Sequence, residues 1–327
     1  MSRQELAGNV GEDGSAPESV GSHIVDQRHR AYTLADHSVW QEVLARNEQL
    51  VEQHRDRMHP AYTEGLAALK LPTSIPSIAE INERLAPTGW RTVCVDGYIP
   101  TADYVGLMAS NVFPVSRVIR RPMHIDYAPA PDMVHDILGH LPMLFSPEYR
   151  RFLKRLAAVM SDAVPNALDR EFYEANRAMS ELKSDITSPR HLVEEAEARV
   201  GRVQRALKRE ASELTHLSRM YLWSLEFGLL GTPGNFSIFG AALLSSPAEF
   251  RTLCDAGRRP EPYSLDVIHH DIDFSDLQAS YFVAKDFAQY DEVLAEYEIG
   301  MRGKVDVRTS EIREIATGER AGRRRHA

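Results

Sequence analysis

Two histidines five residues apart constrain this chain more than any other feature: His135 and His140, in PAPDMVHDILGHLPMLFSP over residues 129–147. On an uninterrupted α-helix a spacing of five sets side chains about 140° apart, too wide for one metal ion. Gly139 offers a remedy by ending the helix in a left-handed conformation, and Pro142 forbids its continuation. The second imidazole can then fold back toward the first. The pattern is not the HExxH of zinc proteases, because Asp136 directly follows His135 and no glutamate separates the histidines. Asp132, at the expected helix start, either caps that helix or hydrogen-bonds His135 and fixes its tautomer.

Two histidines near a helix end are often structural, so a metal site needs a third ligand from elsewhere. Glu226, in YLWSLEFGLLG, is a carboxylate inside a strongly apolar segment, which is costly unless it is paired or metal-bound. One reading is a salt bridge to Arg219 or another arginine. The other is a set of two imidazoles and one carboxylate, the facial triad of non-haem Fe(II) oxygenases, which leaves coordination positions open.

The rest of the chain bounds what such a site can serve. With 327 residues, 43% of them apolar, the chain can build a sizeable core in one large domain or two small ones. Its 38 basic and 47 acidic side chains give −9, which argues against a nucleic-acid partner. No stretch reaches the roughly 18 consecutive apolar residues of a spanning helix, and the first thirty residues lack an apolar signal-peptide core. Cys94 and Cys254 are too few and too far apart for a disulfide framework or a zinc ribbon. Neither GxGxxG nor GxxxxGK[ST] occurs. These features predict a cytoplasmic protein without a membrane partner.

Elements alternate along the chain as in an α+β fold, mostly helical. Residues 1–35 read as a disordered leader. Order is expected from Asp36, where Trp40, Val43, Leu44, Leu50 and Val51 share a helical face. A helix follows over about 60–69, and Ser77 with Glu80 forms a capping-box pattern. Strands are expected near 91–99, 113–119 and 279–283, with a helix starting at Pro100 and Thr101. Apolar residues spaced three and four apart over about 165–215, broken near Ser188 and Pro189, predict a helical hairpin with solvated charged faces. A hairpin inserted in a surface loop is expected to project outward. The last residues, 318–327, form a small basic tail.

Taken together, His135-Asp-Ile-Leu-Gly-His140-Leu-Pro, the preceding Pro131-Asp132, Glu226-Phe-Gly and Gly240-Ala-Ala-Leu-Leu-Ser-Ser246 resemble the pterin-dependent aromatic amino acid hydroxylases. That family comprises phenylalanine, tyrosine and tryptophan hydroxylases. Thr88-Gly-Trp90, Ile119-Arg120 and DFSDLQASYFVAKDF support the match, and IDYAPAPDMVHD is similar to the bacterial members. The resemblance spans about Trp40 to Met301 apart from the hairpin, and implies one catalytic domain over 36–317 with the hairpin inserted.

Carried over by position, the resemblance implies iron ligation by His135, His140 and Glu226. It implies that Arg120 grips the substrate carboxylate, a task suited to a bidentate guanidinium. Ser245 would order that end of the pocket, with Pro131, Tyr221 and Phe227 in its wall. Gly97, Ile99 and Thr101 would hold the pterin ring, Tyr104 would stack on it, and Asp136 would reach it through water. Without the resemblance, Arg120 is an ordinary ion-pair partner, and Tyr104 and Phe227 are ordinary core aromatics. The chain departs from the family's animal members at Pro114, Ala128, Ala130, Leu222 and Ala242, which puts substrate identity in question and leaves the metal ligands intact.

The implied activity is a tetrahydropterin-dependent, Fe(II) monooxygenase that uses O2 to hydroxylate the ring of an aromatic amino acid. Phenylalanine is the leading substrate; tryptophan, tyrosine, or phenylalanine attacked at an unusual ring position are the alternatives. A non-catalytic metal-binding protein whose hairpin takes a partner is a further reading, and zinc-assisted hydrolysis is another, though it lacks an evident general base. Oligomeric state is left open between monomer and dimer.

Overall fold

The computed structural model describes residues 23–128, 132–185, 187–254, 258–273 and 277–300. Three early helices, α1 (Leu34–Gln53), α2 (Pro60–Leu69) and α3 (Ile78–Leu85), begin where their caps dictate. Thr33 with Asp36, and Ser77 with Glu80, close capping boxes, while Pro60 occupies the first turn of α2. Trp40 is fully buried on α1 and donates its indole N–H to the Pro72 carbonyl at 3.0 Å. Asn47, also buried on α1, donates to the Tyr62 hydroxyl on α2 and to the Leu244 carbonyl, at 3.0 and 3.1 Å.

The alternating run after Trp90 forms β1 (Arg91–Val95), which crosses through α4 (Thr101–Ala109) to the parallel strand β2 (Val112–Ser116). This βαβ unit carries its own small apolar cluster of Val93, Val95, Ile99, Leu107 and Val112. Past the histidine segment lie α5 (Pro147–Ser161), α6 (Ala167–Ser184), α7 (Arg190–Arg209) and α8 (Glu213–Tyr221). A second sheet has the order β4-β3-β6-β5, from β3 (Leu229–Thr232), β4 (Asn235–Ile238), β5 (Glu261–Pro262) and β6 (Phe282–Ala284). Two short helices, α9 (Ala241–Ser245) and α10 (Pro247–Cys254), follow its hairpin, and residues 287–300 are helical. The main core joins these layers through fully buried residues such as Ile137, Leu141, Phe152, Leu217, Phe239 and Tyr290. Among the described residues no helix is long and apolar enough to cross a membrane.

Two expectations need correction. Residues 23–33 are not part of a disordered leader: Ile24 and Val25 lie against the free edge of β1, and Gln27 and His29 bond to residues 75–78. Val25 N–H donates to the Cys94 carbonyl at 2.9 Å, and Ile24 bridges Val95. The buried Gln27 side chain donates to the Pro76 carbonyl and accepts from Ile78 N–H, both at 2.9 Å. Hydrogen bonds rather than an apolar stripe hold this segment, so it has no periodicity to betray it. Residues 1–22 and the basic tail at 318–327 lie outside the described residues.

The hairpin forms as α6 and α7, packed on each other through Ala175, Met179 and Val200, but it does not simply project outward. Tyr173 on α6 stacks on Tyr98 in the loop between β1 and α4, with ring centroids 5.5 Å apart and planes 20° from parallel. Gln204 on α7 donates to the Ile272 carbonyl at 3.1 Å. Tyr173 and Gln204 thus supply a second contact face that the apolar spacing alone does not aim.

Candidate active site

The histidine segment solves its spacing problem differently from the expected left-handed break. His135–His140 is one turn of π-helix, whose wider winding brings residues five apart onto one face. Gly139 is not among the glycines with positive φ. Its role is space: a Cβ there would lie 2.7 Å from the Ala241 carbonyl oxygen and 2.8 Å from the Ala241 Cβ. The absent side chain therefore lets α9 pack directly on the π-turn. Leu222–Glu226 forms a second π-turn, closed by Phe227 N–H to the Leu222 carbonyl at 2.9 Å, and it delivers Glu226 to the same place.

The three side chains converge. Nε2 of His140 lies 3.0 Å from Glu226 Oε1, and Nε2 of His135 lies 3.2 Å from Oε2. One ligand atom from each residue falls within 4.8 Å of the others. Arg219, the rival partner for Glu226, is engaged elsewhere: it donates to the Ile268 carbonyl at 2.7 Å and pairs with Asp271.

Neighbours set the tautomers. Nδ1 of His135 lies 2.9 Å from Ser245 Oγ, whose own proton goes to the Ala241 carbonyl at 2.8 Å. The serine oxygen is thus left to accept from Nδ1–H, and Nε2 is left bare for a metal. Nδ1 of His140 lies 3.1 Å from the Tyr149 hydroxyl in the first turn of α5. A metal on Nε2 requires the proton on Nδ1, and the Tyr149 oxygen stands ready to accept it. Sequence reasoning missed Tyr149; Ser146-Pro147 marks the helix start but nothing marks the contact.

Electrostatics fit a cation. Burial works to neutralise Glu226, yet the His140 and His135 imidazoles outweigh it and hold the carboxyl far below its ordinary range. Burial also depresses both histidines; it prevails at His140, whereas the Glu226 charge raises His135. A buried carboxylate held ionised by two facing imidazoles offers the same field to a metal ion. Two bare imidazole nitrogens and a carboxylate match the donor set of an Fe(II) centre.

Asp132 caps the turn rather than the imidazole, with Oδ1 accepting from His135 N–H at 3.0 Å. Its main partner is Arg120, at 3.0 Å from Nε to Oδ2 and 2.8 Å from Nη2 to Oδ1. Burial alone would raise the Asp132 carboxyl, but the Arg120 guanidinium holds it below the usual value. Nη1 of Arg120 donates to the Ser245 carbonyl at 3.0 Å, tying this pair to the serine behind His135. Asp136 Oδ2 accepts from Ser116 N–H at 2.7 Å, and burial pushes its carboxyl up to about 7.

A cavity of about 1290 Å³ opens on this cluster. Gly97, Ile99, Thr101, Tyr104, Arg120, Asp132, Asp136, Tyr221, Phe227 and Ser245 line it with His135 and Glu226, whereas His140 is fully buried behind Phe113. The hydroxyls of Tyr104 and Tyr221 are 3.0 Å apart. Burial, aided by the Glu226 charge, keeps both phenols protonated. Gly97 is left-handed, with φ 65°, and turns the chain out of β1 into this loop. Four of the departing residues, Pro114, Ala128, Leu222 and Ala242, also line the cavity. Pro131 and Ala130 lie outside the described residues.

The sequence model of the biopterin-dependent aromatic amino acid hydroxylase family matches residues 23–170 and 203–316. Phenylalanine-4-hydroxylase of Caulobacter vibrioides is 29% identical over 250 residues, covering 75% of this chain and 67% of that protein. The crystal structure of Chromobacterium violaceum phenylalanine hydroxylase with bound oxidised Fe(III) superimposes with a TM-score of 0.65 at 25% identity, covering 86% of each chain. The same enzyme with iron(III) and 7,8-dihydrobiopterin gives 0.61 at 25% identity, covering 86% of this chain and 87% of that one. With a family match over most of its length and three converging side chains that could hold one metal ion, the chain belongs to the biopterin-dependent aromatic amino acid hydroxylases.

Proposed function

We propose that this pterin-dependent aromatic amino acid monooxygenase hydroxylates free phenylalanine with O2, in the cytoplasm. The observation that carries the reading is the convergence of His135, His140 and Glu226, two of which, His135 and Glu226, line a cavity that Arg120 also lines. The bacterial relatives named above, all phenylalanine hydroxylases, support phenylalanine as the substrate. Bound Fe(II) and tetrahydropterin supply the electrons and the O2 chemistry.

The protein's share is binding and orientation. Arg120, its guanidinium fixed in orientation by Asp132 and the Ser245 carbonyl, keeps an Nη2–H for the substrate carboxylate. Phe227 and Tyr221 wall the ring, and Pro131 joins them by resemblance. Gly97, Ile99 and Thr101 form the pterin cradle, Tyr104 its stacking face, and Asp136 its water-linked acid. The apolar lining excludes water from the reacting ring.

The test is anaerobic loading with Fe(II), followed by O2, tetrahydropterin and phenylalanine, tyrosine or tryptophan in separate reactions. Products are compared with every ring-hydroxylated isomer. A phenylalanine product formed only with pterin is expected. Turnover of tryptophan or tyrosine alone, or a product at another ring position, would replace the substrate assignment; Leu222 and Pro114 in the cavity wall are where such a change would be built. No pterin-dependent product from any of the three would overturn the reading.

A further inference from the structure

The family match skips residues 171–202, so most of the α6–α7 hairpin lies outside the family's common framework. Yet Tyr173, Asn176 and Ser180 from that stretch line the same cavity as His135 and Glu226. The point of contact with the family framework is Tyr98, between Gly97 and Ile99. Besides the ring stack, the Tyr173 hydroxyl donates to the Tyr98 carbonyl at 3.3 Å. A stack and a backbone hydrogen bond from one side chain fix both the ring and the main chain of a loop that has no regular structure of its own.

We propose that Tyr173 of the inserted hairpin is a positioning residue for the pterin loop, so that the insertion completes the cofactor side of the active site. The inference rests on the assignment of Gly97, Ile99 and Thr101 to the pterin. The hairpin is anchored independently of Tyr173. Lys183 pairs with Glu197 at 2.9 Å across the two helices, Thr215 donates to Asp169 at 2.7 Å, and Gln204 holds the Ile272 carbonyl. Removing the tyrosine therefore frees the loop and leaves the hairpin standing. Asn176, one turn along α6, is buried, lines the cavity and donates its amide to the Phe172 carbonyl at 2.9 Å.

The experiment measures binding of 7,8-dihydrobiopterin to the anaerobic Fe(II) enzyme, alongside hydrogen exchange of the loop. Tyr173→Leu keeps apolar bulk but loses stack and hydroxyl; Tyr173→Phe restores the stack. Loss of a stacked pair corresponds to a rise in Kd of about five- to tenfold in Tyr173→Leu. Most of that affinity returns in Tyr173→Phe. The pterin KM rises in step, kcat and phenylalanine affinity hold, and amides of residues 96–99 exchange faster while those of 190–209 do not. Wild-type affinity in both variants overturns the inference and leaves the pterin site standing. Faster exchange throughout the hairpin also overturns it, by showing a general structural role. If the wild-type enzyme binds no dihydrobiopterin, or Tyr104→Ala leaves binding unchanged, the loop assignment itself fails and the inference falls with it. Should Tyr173→Leu not fold, Tyr173→Phe decides alone: its loop must exchange faster through loss of the hydroxyl bond, and unchanged exchange overturns the inference.

Discussion

Ser245 and His135 form a two-step relay: the imidazole Nδ1 lies 2.9 Å from the serine oxygen, which donates onward to the Ala241 carbonyl at 2.8 Å. This relay decides which nitrogen of His135 is bare. In Ser245→Ala the Nδ1 proton loses its acceptor, and the other tautomer, with a protonated Nε2, becomes accessible. Removal of such an orienting partner costs about 10- to 100-fold in metal affinity. Iron titration followed by metal analysis checks this, and unchanged affinity would show that packing alone orients the ring.

Gly139 and Ala241 bring the π-turn and α9 into contact, and that contact carries Ser245 to His135. Gly139→Ala places a methyl 2.7 Å from a carbonyl oxygen that is itself the acceptor for Ser245. Overpacking of this kind costs roughly 1–3 kcal/mol. Lower urea midpoints together with substoichiometric iron are expected, because the two elements must separate. A variant as stable as the parent with full iron would show that the turn has slack.

Chemistry at the site was more legible than geometry. Glu226 stands out because a carboxylate among apolar residues needs a partner, and the two histidines stand out as a pair. The π-turns were not legible, since a spacing of five reads as a conflict on an α-helix until the backbone widens. Asp132 could be placed at the turn but not assigned between cap and imidazole, because both partners lie within reach in sequence. Helix starts at Ser77 and Pro60 were readable from local caps, whereas Ile24 and Val25 pair with β1 through backbone groups that every sequence has. The hairpin's periodicity revealed α6 against α7; its contact with Tyr98 depends on a partner 75 residues away.

Asp132 and Arg120 are both buried, at 3% and 5% exposure, and each satisfies the other. Asp132→Ala strands a guanidinium in the core and uncaps His135, a change expected to destabilise by about 3–5 kcal/mol. Arg120→Lys keeps the charge but gives up the fork that Asp132 holds in place, and with it the fixed donor for the substrate carboxylate. It should raise the KM for the amino acid by about 10- to 100-fold, the equivalent of one charge-assisted hydrogen bond, with the pterin KM unchanged. Steady-state kinetics with each substrate varied in turn separates the two, and an unaltered amino acid KM would remove Arg120 from carboxylate binding.

His59 supplies a pH dependence away from the metal. Its Nδ1 accepts from Ala61 N–H at 3.2 Å as the cap of α2, while its ring packs against Phe239 and Phe287. Burial lowers its proton affinity despite the opposing charges of Glu148 and Glu64. The folded protein therefore binds this proton less readily than the unfolded chain, whose histidines titrate at about 6.5. The His59 contribution is whole above that value and is lost as pH falls through it toward the lower folded value. Protonation also takes the lone pair that caps the helix. His59→Asn retains a capping acceptor that does not titrate. Its urea midpoint should fall less than the parent's between about pH 7.5 and 5.5, although its absolute stability drops with the lost ring contacts. An equal fall in both proteins would assign the acid sensitivity to other groups.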